Sequence, residues 1–259
     1  MNTIKKIIYA FLDFITFGKG LSRTVNGITL KLPVRYMRYF PSNYESENFS
    51  FLKSNTSNGS VVLDLGAHIG LFSGIAAKIV GNSGKVFAFE PAPSTWKVLQ
   101  NTVAINHAEK VIEPVNQAMG NEVGNITFFV SDNEVDNSNS LVSYMNDRKL
   151  KGIDVAVNSI DNFVKEKKLP KVDFIKIDVE GAEYDSLRGG THVFKTLRPA
   201  FILAIHPEPI KKKGDKLEDI YDLLTNLQYN ITCNGQAISR DAFCSNKELI
   251  DLHLLPLGV

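Results

Sequence analysis

The sequence predicts an α/β fold in which a mostly parallel sheet carries helices on both faces. Past Ser60, short apolar runs alternate with stretches whose apolar residues recur at helical spacing, as is typical of such sheets. The chain has 259 residues, of which 44% are hydrophobic and 22% are charged. It is therefore long enough to bury one large core, with room for a small appendage.

The N-terminal part is the least regular. Residues 1–20 contain an apolar run that Asp13 interrupts and that is too short to span a bilayer. We expect an amphipathic helix that packs on the domain, with peripheral contact to a membrane surface as the alternative. Residues 26–53 are aromatic-rich and predict no definite element. The expected organisation is an N-terminal helical or cap segment over 1–53, followed by the main domain over 54–259.

Five apolar runs predict strands of the main sheet, and two more predict strands that flank an insertion. The five are VVLDL, KVFAFE, IEPVNQA, DFIKIDV and AFILAIH, and the two are NITFFV and IDVAVNSI. The runs GLFSGIAAKIV and PSTWKVLQNTVAINH, which follow the first two strands, predict helices. The insertion, residues 131–151, is rich in Asn, Asp and Ser and is expected to form a surface loop or lid.

Composition narrows the class of function. The formal net charge is +1, so the charge balance does not favour a nucleic-acid partner. Cys233 and Cys244 have neither metal-ligand spacing nor a disulfide framework around them, which favours a reducing, cytoplasmic location. The oligomeric state cannot be predicted from these features.

The first chemical signal is a glycine turn directly after the first strand. Asp64 ends the strand, and Gly66 and Gly70 follow with the spacing G-x-x-x-G. A dinucleotide-binding turn has the spacing G-x-G-x-x-G, and its pyrophosphate would be repelled by a nearby carboxylate. An NAD-dependent oxidoreductase is therefore disfavoured. Asp64 suits a ligand with positive charge or hydrogen-bond donors, such as the ammonium and sulfonium of S-adenosylmethionine.

The second signal is Glu90, which ends the next strand about twenty residues later. An acidic residue at this place can accept hydrogen bonds from two ribose hydroxyls. The alternative is a surface carboxylate before a proline. Together with Asp64 and Gly66, it predicts a site for an adenosine without phosphates.

The third signal is the stretch VDFIKIDVEGAEYDSLRGG, in which three ionisable residues alternate along a strand. Lys176, Asp178 and Glu180 share one face because successive strand side chains point to opposite sides. Charged groups on a buried strand are unfavourable unless they are paired or used. The alternative to a functional role is a salt-bridge network with Lys176 and Arg188, with Glu180 capping the following helix.

These stretches, with IDVAVNSIDNFV, resemble in the right order the FkbM family of S-adenosylmethionine-dependent methyltransferases. The resemblance runs from about Tyr44 to His206, and KIDVEGAE is its most specific part. It implies a Rossmann-like class I methyltransferase fold with a seven-stranded sheet. It also implies methyl transfer, usually to a hydroxyl oxygen of a sugar, polysaccharide or natural product.

The resemblance also assigns residues to the cofactor and to the substrate. It implies that the methionine part lies near residues of the glycine turn, the ribose at Glu90 and the adenine near the end of the third strand. His68 departs from the Asn that is more common in the family. The implied cofactor-binding residues are Asp64, Gly66, Ala67, His68, Gly70, Glu90, Gln117, Ala118 and Asp178, and Tyr44 and Glu45 are weaker candidates for substrate contact.

Transfer to a hydroxyl requires a place for the proton. His206, at the end of AFILAIH, is the predicted general base because its ordinary pKa of ~6.5 suits proton transfer near neutrality. Asp178 and Glu180 complete the predicted catalytic group, with Glu180 or Glu208 orienting the histidine. A divalent metal held by Asp178, Glu180 and His206 is an alternative that is not favoured, because no compact ligand motif is present.

The leading prediction is an O-methyltransferase that acts on a small-molecule or saccharide acceptor. Two alternatives stay open at this point. An N- or C-methyltransferase of the same fold would need His206 less. A non-catalytic nucleoside-binding or scaffolding domain would need neither Asp178 nor His206.

Overall fold

An eight-stranded sheet organises the chain, and the structure, a computed structural model, describes residues 16, 18–131 and 150–258. The strands of this part of the chain are β1 (Leu21–Val25), β2 (Ile28–Leu32), β3 (Val61–Leu65), β4 (Lys85–Phe89), β5 (Ile112–Val115), β6 (Ala118–Met119), β7 (Gly124–Ser131), β8 (Leu150–Asn158), β9 (Phe174–Ile177), β10 (Ala200–Ile205), β11 (Tyr229–Cys233), β12 (Gln236–Ala237) and β13 (Ile250–Pro256). The helices are α1 (Ser46–Asn55), α2 (Leu71–Val80), α3 (Pro93–Ile105), α4 (Ile160–Glu166), α5 (Glu183–Arg188), α6 (Thr191–Thr196), α7 (Pro207–Lys213), α8 (Leu217–Asn226) and α9 (Arg240–Cys244), with a 3₁₀ helix over Val34–Tyr39.

The strand order of the main sheet is β12-β11-β13-β10-β9-β3-β4-β5. Strands β5, β4, β3, β9 and β10 are parallel, and β13 runs antiparallel to both β10 and β11. The predicted mostly parallel sheet is confirmed, and the two-residue strand β12 extends the seven expected strands to eight. The order changes direction at β3, so the carboxyl ends of β3, β4 and β9 enclose the crevice in which such sheets bind ligands.

The parallel strands read as continuous apolar runs because both of their faces are covered. Every residue of β9 and β10 is buried. Along β3, Leu63 and Leu65 enter the core on one face, whereas Val62 enters the core on the other. This alternation fixes the register of the strand, because a slip by one residue would exchange the two faces.

The run IEPVNQA does not form one strand as predicted. It divides into β5 and β6, and Asn116 between them donates to the main-chain oxygens of Glu90 at 2.8 Å and Pro91 at 3.0 Å. Strand β6 then pairs with β8, which pairs with β7 in a separate three-stranded sheet. The two strands predicted beside the insertion are thus confirmed, and residues 132–149 of the predicted loop or lid lie outside the described residues.

The N-terminal segment contains a β-hairpin that the sequence analysis did not predict. Asn26 and Gly27, both at positive φ, join β1 to β2, and the 3₁₀ helix and α1 follow. The segment packs on one face of the sheet through apolar residues that include Leu30, Leu32, Tyr36, Phe40, Phe49 and Leu52. The amphipathic helix expected near the start of the chain lies mostly outside the described residues, and the domain boundary at residue 53 stays a prediction.

A buried asparagine fastens α1 to the strand β13. Asn48 donates to Asp251 Oδ2 at 2.8 Å and to Glu45 Oε2 at 3.3 Å. Its Oδ1 lies 2.8 Å from His253 Nε2, so the ring nitrogen is the donor. The helix that begins beside Glu45 is therefore held to a strand about 200 residues later in the sequence.

No helix in the described ranges is long and apolar enough to cross a bilayer.

Candidate active site

A cavity lies at the carboxyl ends of β3, β4 and β9, where the change in strand order predicts a ligand site. Ten of the predicted site residues line it, namely Tyr44, Glu45, Gly66, Ala67, His68, Glu90, Gln117, Ala118, Asp178 and Glu180. Phe40, Phe49, Phe128 and Lys176 also contribute to its lining. The remaining three predicted site residues do not line the cavity but lie behind residues that do, namely Asp64, Gly70 and His206.

Two walls of the cavity carry most of the ionisable groups. The turn wall consists of the glycine turn after β3 together with Glu90, with Asp64 buried behind the turn. The charged wall consists of Lys176 and Asp178, with His206 and Glu183 behind them. The two walls meet at Gly66, which adopts φ +82, and a Cβ there would come within 1.9 Å of the main-chain oxygen of Asp178. Only glycine fits this contact between the two strand-end loops.

Gly70 has a packing role rather than a lining role. It precedes α2 with φ +87, and a Cβ there would come within 2.6 Å of Leu99 Cδ1 on α3. The second glycine of the turn thus allows α2 and α3 to pack closely, while the first allows the two walls to meet.

Asp64 is buried at the end of β3. Ser73 Oγ donates to its Oδ2 at 2.5 Å, whereas its Oδ1 has no hydrogen-bond partner among the described residues. Burial raises the pKa of Asp64 to about 6. A buried acceptor without a donor is unfavourable, so this oxygen fits a ligand that brings a positive charge or an N–H group.

Glu90 is only 5% exposed, so the alternative of a surface carboxylate is wrong. The main-chain N–H groups of His68 and Ala92 donate to Oε2 and Oε1, each at 3.0 Å, and fix the carboxyl group at the cavity. Burial raises the pKa of Glu90 to about 7, against the opposing effect of these two hydrogen bonds. A carboxylate accepts about four hydrogen bonds, which leaves capacity for two ribose hydroxyls.

His68 contributes to the turn wall mainly through its backbone. It adopts φ +48, and its main-chain N–H donates to Glu90. Its ring meets the edge of the Tyr36 ring at a centroid distance of 5.9 Å. Burial lowers the pKa of His68 to about 4, so the imidazole is neutral near pH 7.

On the charged wall, Lys176 and Asp178 form a close ion pair. Lys176 is 6% exposed, and its Nζ lies 2.6 Å from Asp178 Oδ2. Burial alone would lower the pKa of Lys176, but the carboxylates of Asp178, Glu45 and Asp64 outweigh it and raise that pKa. Burial alone would raise the pKa of Asp178, but Lys176 and His206 hold it below its ordinary value. This part of the predicted salt-bridge network is confirmed, whereas Arg188 lies over the ring of Tyr184.

His206 directly follows β10 and lies between two carboxylates. Its Nδ1 is 2.7 Å from Glu183 Oε1, and its Nε2 is 3.7 Å from Asp178 Oδ1. Burial alone would lower the pKa of His206, but the hydrogen bond and charge of Glu183, with the charge of Asp178, raise it to about 9. A histidine that is already protonated at neutral pH cannot accept a proton. The geometry therefore argues against the predicted role of His206 as general base.

Glu183 is the residue that orients His206, and the sequence analysis missed it. Of the two candidates predicted for this role, Glu208 pairs with Lys212 at 2.8 Å, whereas Glu180 lines the cavity and its charge also acts on His206. Glu180 adopts φ +44, and the turn it forms lets both oxygens of Glu183 accept from the N–H of Gly181, at 3.0 and 2.9 Å. The available signal was the second glutamate of KIDVEGAE, at the start of a helix.

The N-terminal segment supplies a third, aromatic part of the lining. Tyr44 meets Phe40 edge to face at a centroid distance of 5.1 Å, and Phe49 lies nearby on α1. Burial, reinforced by the charge of Glu45, raises the pKa of Tyr44 above its ordinary value. Tyr44 is therefore a neutral phenol.

The described ranges contain no cluster of three histidine, cysteine or acidic side chains arranged to hold a metal ion.

Comparisons with known proteins identify the family of the chain. Residues 64–231 match the methyltransferase FkbM domain. The chain is 27% identical over 224 residues to the hexuronic acid methyltransferase AglP of Haloferax volcanii, covering 83% of this chain and 88% of that one. It is 26% identical over 162 residues to the methyltransferase sdnD of Sordaria araneosa, covering 52% of this chain and 62% of that relative.

The fold also matches a solved structure. An rRNA methylase from Streptococcus thermophilus superposes with a TM-score of 0.50 at 10% identity, covering 82% of this chain and 95% of the other. The family match covers most of the chain and includes the turn wall and the charged wall. The chain belongs to the FkbM family of S-adenosylmethionine-dependent methyltransferases.

Proposed function

We propose that this chain methylates a hydroxyl group of a sugar, polysaccharide or natural product. The observation that carries the proposal is one cavity with two unlike walls. The turn wall offers an unpartnered buried carboxyl oxygen and a buried glutamate, and the charged wall offers the ionised carboxylate of Asp178.

The turn wall fits the cofactor. The carboxyl group of Asp64, buried behind the turn, favours the positive charge of the cofactor, and Glu90 has acceptor capacity for the ribose hydroxyls. Gln117 and Ala118 follow Asn116 at the same edge and would lie beside the adenine. When bound, S-adenosylmethionine supplies a methyl group on a sulfonium, which leaves as a neutral thioether.

The charged wall and the aromatic lining then face the acceptor. Phe40, Tyr44 and Phe49 offer ring surfaces against which the C–H face of a sugar can pack. Asp178 accepts a hydrogen bond from the acceptor hydroxyl and orients its oxygen toward the methyl carbon. Once its bond to carbon has formed, the oxygen carries three bonds and is a strong acid, so it gives up its proton to Asp178 even though the pKa of that carboxylate is lowered.

The charges of the lining favour a hydroxyl over a carboxyl group as the acceptor. Among the described lining residues, the basic side chains are His68, which is neutral, and Lys176, which is already paired with Asp178. Glu45 adds a further carboxylate to the same side. A sugar carboxylate would thus meet negative charge without a free cation. The relative AglP is named for a hexuronic acid, which makes a uronic acid one acceptor to compare.

Isothermal titration of S-adenosylhomocysteine tests the cofactor half of the proposal. We expect micromolar binding to the unmodified protein and its loss in Glu90→Ala. Glu218→Ala, at an exposed position on α8, is the matched control and should bind normally. Absence of binding to the unmodified protein would overturn the methyltransferase proposal.

Methyl transfer from radiolabelled S-adenosylmethionine tests the acceptor half. A matched panel consists of methyl glycosides of glucose, glucosamine and glucuronic acid. Transfer to a hydroxyl gives a base-stable ether, whereas transfer to the uronic carboxylate gives an ester that mild base releases as labelled methanol. Base-labile product would contradict hydroxyl methylation, and label on the amine of glucosamine would indicate an N-methyltransferase instead.

A further inference from the structure

The group behind the charged wall forms a continuous chain of alternating charges. Glu183, His206, Asp178 and Lys176 follow one another at 2.7, 3.7 and 2.6 Å. The two ends of the chain are the most buried members, with Glu183 fully buried and Lys176 6% exposed. Asp178 alone of the two carboxylates reaches the cavity.

The hydrogen bonds of Glu183 determine the state of the histidine. Its carboxylate has no proton to donate when ionised, so His206 Nδ1 must be the donor in their 2.7 Å contact. The other nitrogen, Nε2, then faces Asp178 Oδ1. In a neutral imidazole this nitrogen would present a lone pair to a carboxylate, which is repulsive. In an imidazolium it presents an N–H group, which is attractive.

The three charged groups with the strongest effect on His206 favour the same state. Glu183 on α5, Asp178 after β9 and Glu180 in the turn between them are all acidic. A buried charge is unfavourable unless it is paired, and the fully buried Glu183 contacts His206 Nδ1 and the N–H of Gly181. The imidazolium and the buried carboxylate thus stabilise each other.

We propose that Glu183 and Lys176 are positioning residues of this active site. Glu183 keeps His206 as an imidazolium, and this cation acts together with the Lys176 ammonium to hold Asp178 as an ionised hydrogen-bond acceptor at the cavity. Lys176 binds Oδ2 and His206 faces Oδ1, so the carboxylate is held from both oxygens. The role given to Asp178 rests on the proposed function, whereas the charge states of the four residues do not.

Nuclear magnetic resonance of ¹³C- and ¹⁵N-labelled histidine in the full chain tests the first step. The signals of His206 are identified by their loss in His206→Asn. We expect His206 to titrate near pH 9 in the unmodified protein, against an ordinary value of ~6.5. Glu183→Gln removes the charge at nearly constant volume and should lower this pKa by about two units. Asp178→Asn should lower it by less, because that contact is longer.

A matched control separates this effect from general charge removal. Glu208→Gln changes a glutamate on the helix that follows His206, but its partner is Lys212 rather than the histidine. It should leave the titration of His206 unchanged. A His206 that titrates at or below pH 6.5 in the unmodified protein would overturn the proposal. An unchanged titration in folded Glu183→Gln and Asp178→Asn would also overturn it.

Carboxyl ¹³C signals of labelled aspartate test the part of Lys176. We expect Asp178 to stay ionised below its ordinary pKa of ~3.9 in the unmodified protein and to titrate at a higher pH in Lys176→Met. Lys171→Met is the control, because Lys171 pairs with Asp173 at 2.9 Å with the same sequence spacing but an exposed ammonium. If Lys176→Met leaves the titration of Asp178 unchanged, Lys176 has no positioning role.

These titrations stand apart from the cofactor measurement. Loss of S-adenosylhomocysteine binding in the unmodified protein would contradict the proposed function while leaving the histidine titration informative. Conversely, normal binding with an ordinary titration of His206 would leave the methyltransferase proposal intact and remove the positioning role.

Discussion

The turn wall and the charged wall both present acidic side chains at the ends of parallel strands, yet the two sets behave in opposite ways. Asp64 and Glu90 have pKa values raised to about 6 and about 7, because burial outweighs the charge of Lys176 at Asp64 and the main-chain hydrogen bonds at Glu90. The pKa of Asp178 is lowered, because an ammonium and an imidazolium face its two oxygens. Position in the fold makes a carboxylate available to the cavity, but its immediate partners decide its charge.

The comparison indicates a division of labour. Carboxyl groups with unused acceptor capacity suit a wall that binds a cationic cofactor, because the ligand supplies the missing hydrogen-bond donors and positive charge. A carboxylate that fixed cations keep ionised suits a wall that must accept a hydrogen bond from an uncharged hydroxyl. Four substitutions test this division, in order of decreasing expected effect.

The largest effect is expected where the walls meet. Gly66→Ala would force a Cβ into the main-chain oxygen of Asp178 at φ +82 and so push the walls apart. We expect loss of S-adenosylhomocysteine binding and a fall of at least about 3 kcal/mol in the free energy of unfolding. Gly235→Ala is the control, because Gly235 has φ +73 with open space around it, and it should lose only about 1 kcal/mol. Equal losses in urea unfolding would contradict a special contact at Gly66.

Glu90→Gln should weaken binding of S-adenosylhomocysteine by roughly 10- to 100-fold, the value of a hydrogen bond to a charged acceptor. Because the pKa of Glu90 is about 7, affinity of the unmodified protein should fall as the pH drops below 7 and the carboxylate gains a proton. Titration calorimetry at several pH values should show this fall, and the variant should lack it. A pH dependence that persists in Glu90→Gln would assign it to another group.

Asp64→Asn should remove the pH-dependent destabilisation of the folded protein that ionisation of the buried carboxyl group causes. Burial raises the pKa of Asp64 from 3.8 to about 6, so the folded protein holds this proton more tightly than the unfolded chain. Asp64 therefore makes its full contribution to the free energy of unfolding below pH 3.8, and this contribution is lost as the pH rises to about 6. We therefore expect the free energy of unfolding of the variant, relative to that of the unmodified protein, to be about 1 to 2 kcal/mol higher at pH 8 than at pH 5. Urea unfolding at the two pH values measures this difference. Asp219→Asn, on the exposed side of α8, should show no such difference.

His68→Asn should have the smallest effect on the turn wall. The contact of His68 with Glu90 uses the main-chain N–H, and asparagine adopts positive φ more readily than most residues. We expect the dissociation constant of S-adenosylhomocysteine to change by less than about fivefold, or about 1 kcal/mol. A loss above tenfold would show that the imidazole ring itself contacts the cofactor.

The part of the fold that the sequence predicted is the part with two buried faces. Strands such as β9 and β10 are apolar at every position, which leaves an unambiguous run in the sequence. Strands β1 and β2 are mostly exposed or half-buried and have no such run, so the hairpin was missed. The pair Asn26-Gly27 was the local signal for it.

The site was predictable in position but not in charge. Asp64, Glu90 and Asp178 follow strands, and the topology of a parallel sheet brings strand ends together. The charge of His206 depends on Glu183, which is 23 residues away and turned back by the positive φ of Glu180. No periodicity encodes such a contact, and the ordinary pKa of histidine therefore suggested a base at a position where Glu183 and Asp178 raise the pKa to about 9.

The bonds of Asn48 also set an order of assembly. The aromatic lining from residues 40–49 is fastened through Asn48 to Asp251 and His253, at sequence separations of 203 and 205 residues. At 5 to 20 residues per second, the ribosome supplies these partners roughly 10 to 40 s after α1 has been made. The glycine turn and β4 can meet long before then. During synthesis the strands that carry the turn wall are thus made well before β13, which the aromatic lining needs for its bonds through Asn48.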